Sequence, residues 1–187
     1  MKTETLEETE EIIKQTESWI KNVVVGCNFC PFASKALTTK SIRYIVMSVA
    51  NFSIITNKLR YELTYLHQNA SLETTIIIFA NDFKNFNQYL DVVEIGNLLL
   101  KKDKWEGVFQ LASFHPSYLF AGSKETDASN YTNRSPYPML HILREESITK
   151  ALKNFADYRQ ISSNNIKFTQ EKGLQYMQVL LTNCEKV

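Results

Sequence analysis

Six consecutive residues, Thr74-Thr-Ile-Ile-Ile-Phe79, constrain the fold most. The run is short and nearly all apolar, so it has no wet face alternating with a dry one. That pattern suits a strand covered on both sides. The flanking sequence supplies helices to cover it. Ile42 to Val49 is rich in strand-forming residues. Ser53 to His67 then carries Ile55, Leu59, Leu63 and Leu66 on one helical stripe. Beyond the apolar run, Asp82 is placed to cap a helix from Phe83 to Lys101, with Phe83, Phe86, Leu90, Val93 and Leu98 inward. Gly107 to Phe114 reads as a third strand. Strand, helix, strand, helix, strand is the rhythm of an α/β layered domain. Short right-handed crossovers would make the strands parallel, with an antiparallel insertion left open. The fold class expected is therefore α/β: one layered domain over residues 1–187, with a sheet of three or more strands flanked by helices.

The ends of the chain read as helices. In Thr5 to Val25, residues Ile12, Ile13, Thr16, Trp19, Ile20, Val23 and Val24 share one stripe, and Gly26 suits a left-handed C-cap. Pro138 suits the first position of a helix running to about Phe155, with Met139, Ile142, Leu143 and Leu152 facing the core. Asn164 to Asn183 reads as a last helix, with Ile166, Leu174, Met177 and Leu181 packing; Gly173 inside it costs roughly 1 kcal/mol against Ala, which leaves a break there open.

A net charge of +1 gives no global argument for a nucleic-acid or membrane partner. No apolar run approaches the length of a transmembrane helix. Three cysteines do not make a disulfide framework, so a reducing, cytoplasmic setting is expected. The acidic N-terminus lacks the regions of a signal peptide. Neither Gly-x-Gly-x-x-Gly nor a Walker loop occurs, which argues against nucleotide binding by those routes. The sequence names no cofactor and no oligomeric state.

The segment Ser113 to Glu145 is polar yet studded with Phe, Tyr and Pro, which reads as a long ordered loop that builds a site. It leaves the carboxyl end of the third strand, where open α/β sheets place their ligands. His115, before Pro116, suits acid–base work or metal binding, or else holds loop carbonyls. His141, Arg144 and Glu145 would share one helix face, as a base, an anion clamp and a carboxylate, or as an ion-pair network. Asp127, Asn130 and Asn133 either make turns or join Arg134 in a ligand site. Arg134 with the free N–H groups of a helix start would hold a carboxylate or phosphate, and Arg43 would add a second positive charge. Cys30 is a nucleophile or metal ligand if a base lowers its pKa, and otherwise a small buried hydrophobe.

Cys30-Pro-Phe-Ala33, Ile42-Arg43, Ser113-Phe-His-Pro116 with Tyr118 and Phe120, Thr132-Asn-Arg-Ser-Pro-Tyr-Pro-Met-Leu-His141 and Leu143-Arg-Glu145 together resemble the domain of unknown function 1415 family, which is mainly bacterial. The resemblance spans nearly the whole chain. It implies a single-domain intracellular protein and marks the same loop. It also implies that Cys30 is the recurrent cysteine and Cys27 incidental, which weakens a redox Cys-x-x-Cys reading. No activity comes with it.

Three functions stay open at this point. One is a small enzyme, a Cys/His-dependent hydrolase or transferase acting on an anionic small molecule, with Cys30, His115 and His141 catalytic. A second is a mononuclear metal enzyme with the same three as ligands. The third is a non-catalytic ligand-binding or protein-interaction module. Convergence of Cys30, His115, His141 and Arg134 in one cleft separates the first from the third.

Overall fold

The computed structural model describes residues 5–48, 51–153 and 158–187. Its regular elements are α1 (Leu6–Trp19) continued by a π-helical stretch (Ile20–Val25), α2 (Ala33–Thr38), β1 (Ile42–Met47), α3 (Phe52–Gln68), β2 (Thr74–Phe79), α4 (Phe86–Lys102), β3 (Phe109–Phe114), β4 (Met139–Arg144), α5 (Glu145–Lys153), α6 (Ile161–Lys172) and α7 (Leu174–Cys184). Short 3-10 turns cover Ala128–Thr132 and Tyr158–Gln160.

The strands form one sheet in the order β1-β2-β4-β3. β1 and β2 are parallel, while β4 runs antiparallel to both β2 and β3. β1, β2 and β3 therefore point the same way, and β4 is inserted between the second and third. β2 is buried along its whole length. Ile77 and Phe79 face a cluster built by Ile55, Leu59, Leu63 and Leu66 of α3 and Tyr89, Val92, Leu99 and Leu100 of α4. Ile76 and Ile78 face the opposite cluster, from α1, the π-helical stretch and α7, with Trp19, Val23 and Met177 at its centre. Two covered faces explain why the apolar run of β2 does not alternate.

The helix expected from Pro138 is instead β4 followed by α5. Met139, Leu140 and Ile142 are all fully buried, so this strand too is packed on both faces. A short apolar run with both faces buried has no period to separate strand from helix. His141, Arg144 and Glu145 consequently share no helix face. The ends placed at Val49 and Phe155 lie outside the described residues.

α4 begins three residues later than expected, capped by Asn85, whose side chain accepts from the Gln88 N–H at 3.2 Å. Its buried stripe is rotated: Tyr89, Val92, Gly96, Leu99 and Leu100 face inward, while Leu90 and Leu98 are 43% and 58% exposed. The Tyr89 hydroxyl accounts for this phase, donating to the Met139 carbonyl at 2.6 Å and accepting from the Phe114 N–H at 3.1 Å. It thereby joins the ends of β4 and β3.

Gly26 is right-handed (φ −62°, ψ −34°), not the left-handed cap expected. Its N–H bonds the Lys21 carbonyl five residues back at 3.0 Å. In that wide turn a Cβ on Gly26 would lie 2.3 Å from the Asn22 carbonyl oxygen, so close approach rather than handedness requires glycine. The single last helix is two, α6 and α7, and the break left open at Gly173 is present, with φ 80° between them.

Candidate functional site

The carboxyl ends of β2 and β3 lead into the two segments that build a cavity of about 590 Å³. Asn85, Phe86 and Asn87 enter its wall from the start of α4. Pro116, Ser117 and Leu119 enter from the loop after β3, and Glu125, Thr126 and Arg134 from farther along it. Leu174 and Gln178 close it from the first turns of α7.

The loop is held by its own polar side chains. Buried Asn130 accepts from the Phe120 N–H at 3.0 Å and the Ser123 hydroxyl at 2.8 Å, and donates to the Lys124 carbonyl at 2.8 Å. Asp127 caps the 3-10 turn, accepting from the N–H of Ser129 at 3.2 Å and its hydroxyl at 3.0 Å. Asn133 donates to the Ser113 carbonyl at 3.1 Å and so ties the loop back to β3. These three residues do the turn-making chemistry of their side chains. None of them lines the cavity.

Arg134 does line it. Nε donates to the Tyr118 carbonyl at 3.2 Å and Nη2 to the Glu125 carbonyl at 3.1 Å, while the guanidinium carbon sits 4.6 Å from the Tyr131 ring centre. Its backbone carbonyl accepts from the Trp19 indole at 3.0 Å, which anchors the residue to α1. Among the described residues Nη1 is engaged by no hydrogen bond. The guanidinium is thus oriented by neutral carbonyls, and among the described residues no carboxylate forms an ion pair with it.

The other arginines lie elsewhere. Arg43 pairs with Thr75 in the register and Arg144 with Phe109, which puts both at the amino ends of β1–β3, opposite the cavity. Arg43 donates to the fully buried Glu62 carboxylate at 2.8 and 3.4 Å and stacks on Tyr65 at 4.3 Å. Arg144 gathers the carbonyls that end α3 and follow it, donating to Leu66, to Asn69 at 3.1 Å and to Leu72 at 3.1 Å. A cation there also suits the negative end of the helix dipole. Glu145 does not join Arg144; its carboxylate accepts from the Gly107 N–H at 3.3 Å.

His115 is fully buried against α4, its ring 5.1 Å from Phe86 and 5.0 Å from Tyr89. Nε2 donates to the Phe83 carbonyl at 2.9 Å and Nδ1 accepts from the Ser117 N–H at 2.9 Å, which fixes the neutral tautomer. Burial pushes its pKa down and the Phe83 bond offsets part of that. His141 stands on the opposite face of the sheet, between Ile76 and Ala112. Its Nε2 is out of water with no partner among the described residues, and burial lowers its pKa to about 4. Cys30 follows the π-helical stretch and packs against the α1–α7 cluster. Burial raises its thiol pKa, against a smaller lowering by backbone N–H groups of Phe32 and Ala33. Among the described residues, no group of three or more His, Cys, Asp or Glu is placed to hold a metal ion. The structure therefore brings Arg134 to the cavity and keeps Cys30, His115 and His141 off its wall.

The chain belongs to a protein family. That family is described as Protein of unknown function (DUF1415), and its model matches residues 11–179. No curated protein and no solved structure matches the chain. Membership confirms the resemblance read from the sequence. Among the described residues no helix is long and apolar enough to cross a membrane.

Sequence reasoning missed the cavity residues on α4 and α7. A signal for the first was present: Asn85-Phe-Asn-Gln88 has the spacing of a capping box. The second carried none, because contact between α7 and the loop is set only by packing.

Proposed function

We propose that this family member binds a small anionic molecule in the cavity at the carboxyl ends of β2 and β3, as a ligand-binding module. The observation that carries this reading is the Arg134 guanidinium, unneutralised on the cavity wall beside the first turns of two helices. Backbone N–H groups at a helix start favour a negative charge, and α7 begins without any side-chain cap. The cavity is within the size range of small-molecule sites.

The module reading is favoured over Cys–His chemistry by where the candidate groups are spent. Both ring nitrogens of His115 are engaged within the protein. The Cys30 thiol is pushed away from its reactive thiolate form. Arg43 and Arg144 hold α3 in place at the far end of the sheet.

Calorimetric titration with inorganic phosphate and a set of simple carboxylates tests this. Asn87 lines the cavity from an exposed position in the first turn of α4, so Asn87→Asp adds a negative charge where the helix tolerates one. The expected outcome is at least one anion that binds, roughly tenfold weakened by the substitution, or about 1.4 kcal/mol, with the melting temperature unchanged. Absence of binding across the set, or binding indifferent to Asn87→Asp, would sink the reading.

A further inference from the structure

We infer that the outer edge of β1, together with the exposed stripe of α3 beside it, is a docking surface for an extended segment of a partner protein in which acidic and apolar residues alternate. β1 ends the sheet, with β2 on one side only. The carbonyls of Ser41 and Met47 both turn to that side, accepting from the Thr74 N–H at 3.4 Å and the Ala80 N–H at 3.2 Å. Bonds in a parallel ladder come from alternate residues, so Ser41, Arg43, Ile45 and Met47 direct their backbone groups to β2. The N–H and C=O groups of Ile42, Tyr44 and Val46 therefore point outward, and nothing among the described residues bonds them. The opposite edge of the sheet is in part tied off by its own chain. There the Phe109 N–H donates to the Trp105 carbonyl at 2.9 Å, and the Ser113 carbonyl accepts from Asn133 at 3.1 Å. β1 carries no proline, and its one charged residue, Arg43, is turned onto Glu62. A strand edge left open in this way accepts another strand.

The side chains beside the edge set the partner's chemistry. Ile54, Lys58, Tyr61 and Tyr65 form one stripe of α3 at helical spacing. Arg60, bonded to Asp103, and His67, against Trp105, mark the side of the helix turned to α4, so the stripe faces the other way, over β1. Arg43 bears this out by reaching from β1 to stack on Tyr65 at 4.3 Å. Tyr65 in turn stacks on Tyr61 at 5.9 Å, and the Lys58 ammonium sits 5.4 Å from the Tyr61 ring centre. Ile54 and Tyr61 are 42% and 55% exposed. Arg43 at 2.8 Å and Lys58 at 3.8 Å share the one buried carboxylate of Glu62, which leaves the cluster with an excess of positive charge. Exposed Lys40 directly precedes the strand and adds to it. A strand laid along β1 points alternate side chains to the two faces of the sheet. Those on the α3 face meet Lys58, Arg43 and the tyrosines, which suits carboxylates. Those on the other face meet Ile42, Tyr44 and Val46, half-buried against the α1–α7 cluster, which suits apolar side chains. A second copy of β1 would instead bring another Arg43 and Lys58 to the same cationic cluster, which is unfavourable. None of these residues lines the cavity, so the surface is independent of the anion site.

Amide NMR titration of the full chain with two short blocked peptides tests this, one alternating Glu and Val, the other alternating Lys and Val. The Glu–Val peptide is expected to shift the amide signals of Ile42, Tyr44 and Val46, and to bind roughly tenfold tighter than the Lys–Val peptide. Val46→Pro removes an N–H that β2 does not use and puts a ring where the guest strand must pair. It should weaken the Glu–Val peptide about tenfold while the melting curve stays close to that of the parent. Lys58→Gln keeps a good helix former and removes one cation, so it should narrow the preference between the peptides to about threefold. The docking inference falls if those three amides do not move, if both peptides bind alike, or if the preference survives Lys58→Gln. It also falls if a folded Val46→Pro binds as the parent does, because the contact is then charge alone. A free protein that sediments as a dimer, with the same amides already protected from exchange, would overturn it too, since a second copy then holds the edge.

Discussion

His141 Nε2 sits in the middle of the sheet without a hydrogen-bond partner among the described residues, and its cross-strand neighbours Ile76 and Ala112 offer only side-chain carbon. A protonated imidazole there would be a buried charge, so the folded protein holds the ring neutral, with its pKa lowered to about 4 by burial. The unfolded chain has an ordinary histidine near 6.5. Between those values the unfolded state binds more protons than the folded one, so stability is complete above pH 6.5 and is lost as the pH falls toward 4. His115 adds to this with the same sign, since burial lowers its pKa too. The expected outcome is a clear drop in the urea midpoint between pH 7.5 and pH 5. His141→Phe, which removes the titrating group and keeps a ring, should flatten that slope by roughly 1–3 kcal/mol. A slope unchanged by the substitution would show that the ring is not titrating in place. Residues of this kind were legible in the sequence only as types. The segment around His115 and Arg134 stood out by its composition, and it is the segment that walls the cavity. Whether a given histidine would face a ligand or a carbonyl depended on where Phe83 and Ser117 came to rest, and no local spacing encodes that.

At the scale of elements, helices with one buried stripe were legible and buried strands were not always so. α3 turned out as its period required, with Ile55, Leu59, Leu63 and Leu66 all buried. β4 did not, because Met139-Leu-His-Ile-Leu143 reads equally as a helix turn once both faces are apolar. Its length, equal to that of β2, and the acidic pair Glu145-Glu146 starting a new helix were the available signals. The break between α6 and α7 was legible because glycine is a poor interior helix residue. Gly173 has φ 80° and ψ 163°, a region almost closed to any other residue. Gly173→Ala should therefore destabilise the fold by roughly 1–3 kcal/mol, although a Cβ there meets nothing within 4 Å. Because Leu174 and Gln178 line the cavity, the same substitution should also weaken ligand binding. Denaturation midpoints and titration of the one variant measure both effects. Unaltered stability would mean that the turn relaxes to an ordinary backbone without cost.

For the whole molecule, the decisive feature is the late insertion of β4 between β2 and β3. The first three strands appear in order as a parallel set, yet β2 and β3 never touch. Until residues 139–144 arrive, β2 is paired on one edge only and β3 is paired on neither. Met139, Leu140 and Ile142 also supply the middle of both clusters. A chain ending at residue 136 retains β1–β3, α1, α3 and α4, and by element count it resembles a complete α/β unit. It should nevertheless fail to unfold cooperatively, because its central strand would expose a row of unpaired backbone groups and its two clusters would each open along one side. Chemical denaturation followed by circular dichroism is the measurement, with the full chain as reference. A gradual, non-sigmoidal loss of signal and a tendency to associate are expected of the fragment. A sharp transition close to that of the full chain would mean that β2 and β3 can pair directly, and that β4 is an addition to a self-sufficient sheet. The same dependence gives a physical reason for the long loop before β4. The chain must return from the end of β3 to the end of β2 in the reverse direction. The segment that makes this turn, pinned by Asn130, Asn133 and Arg134, is the one that walls the cavity.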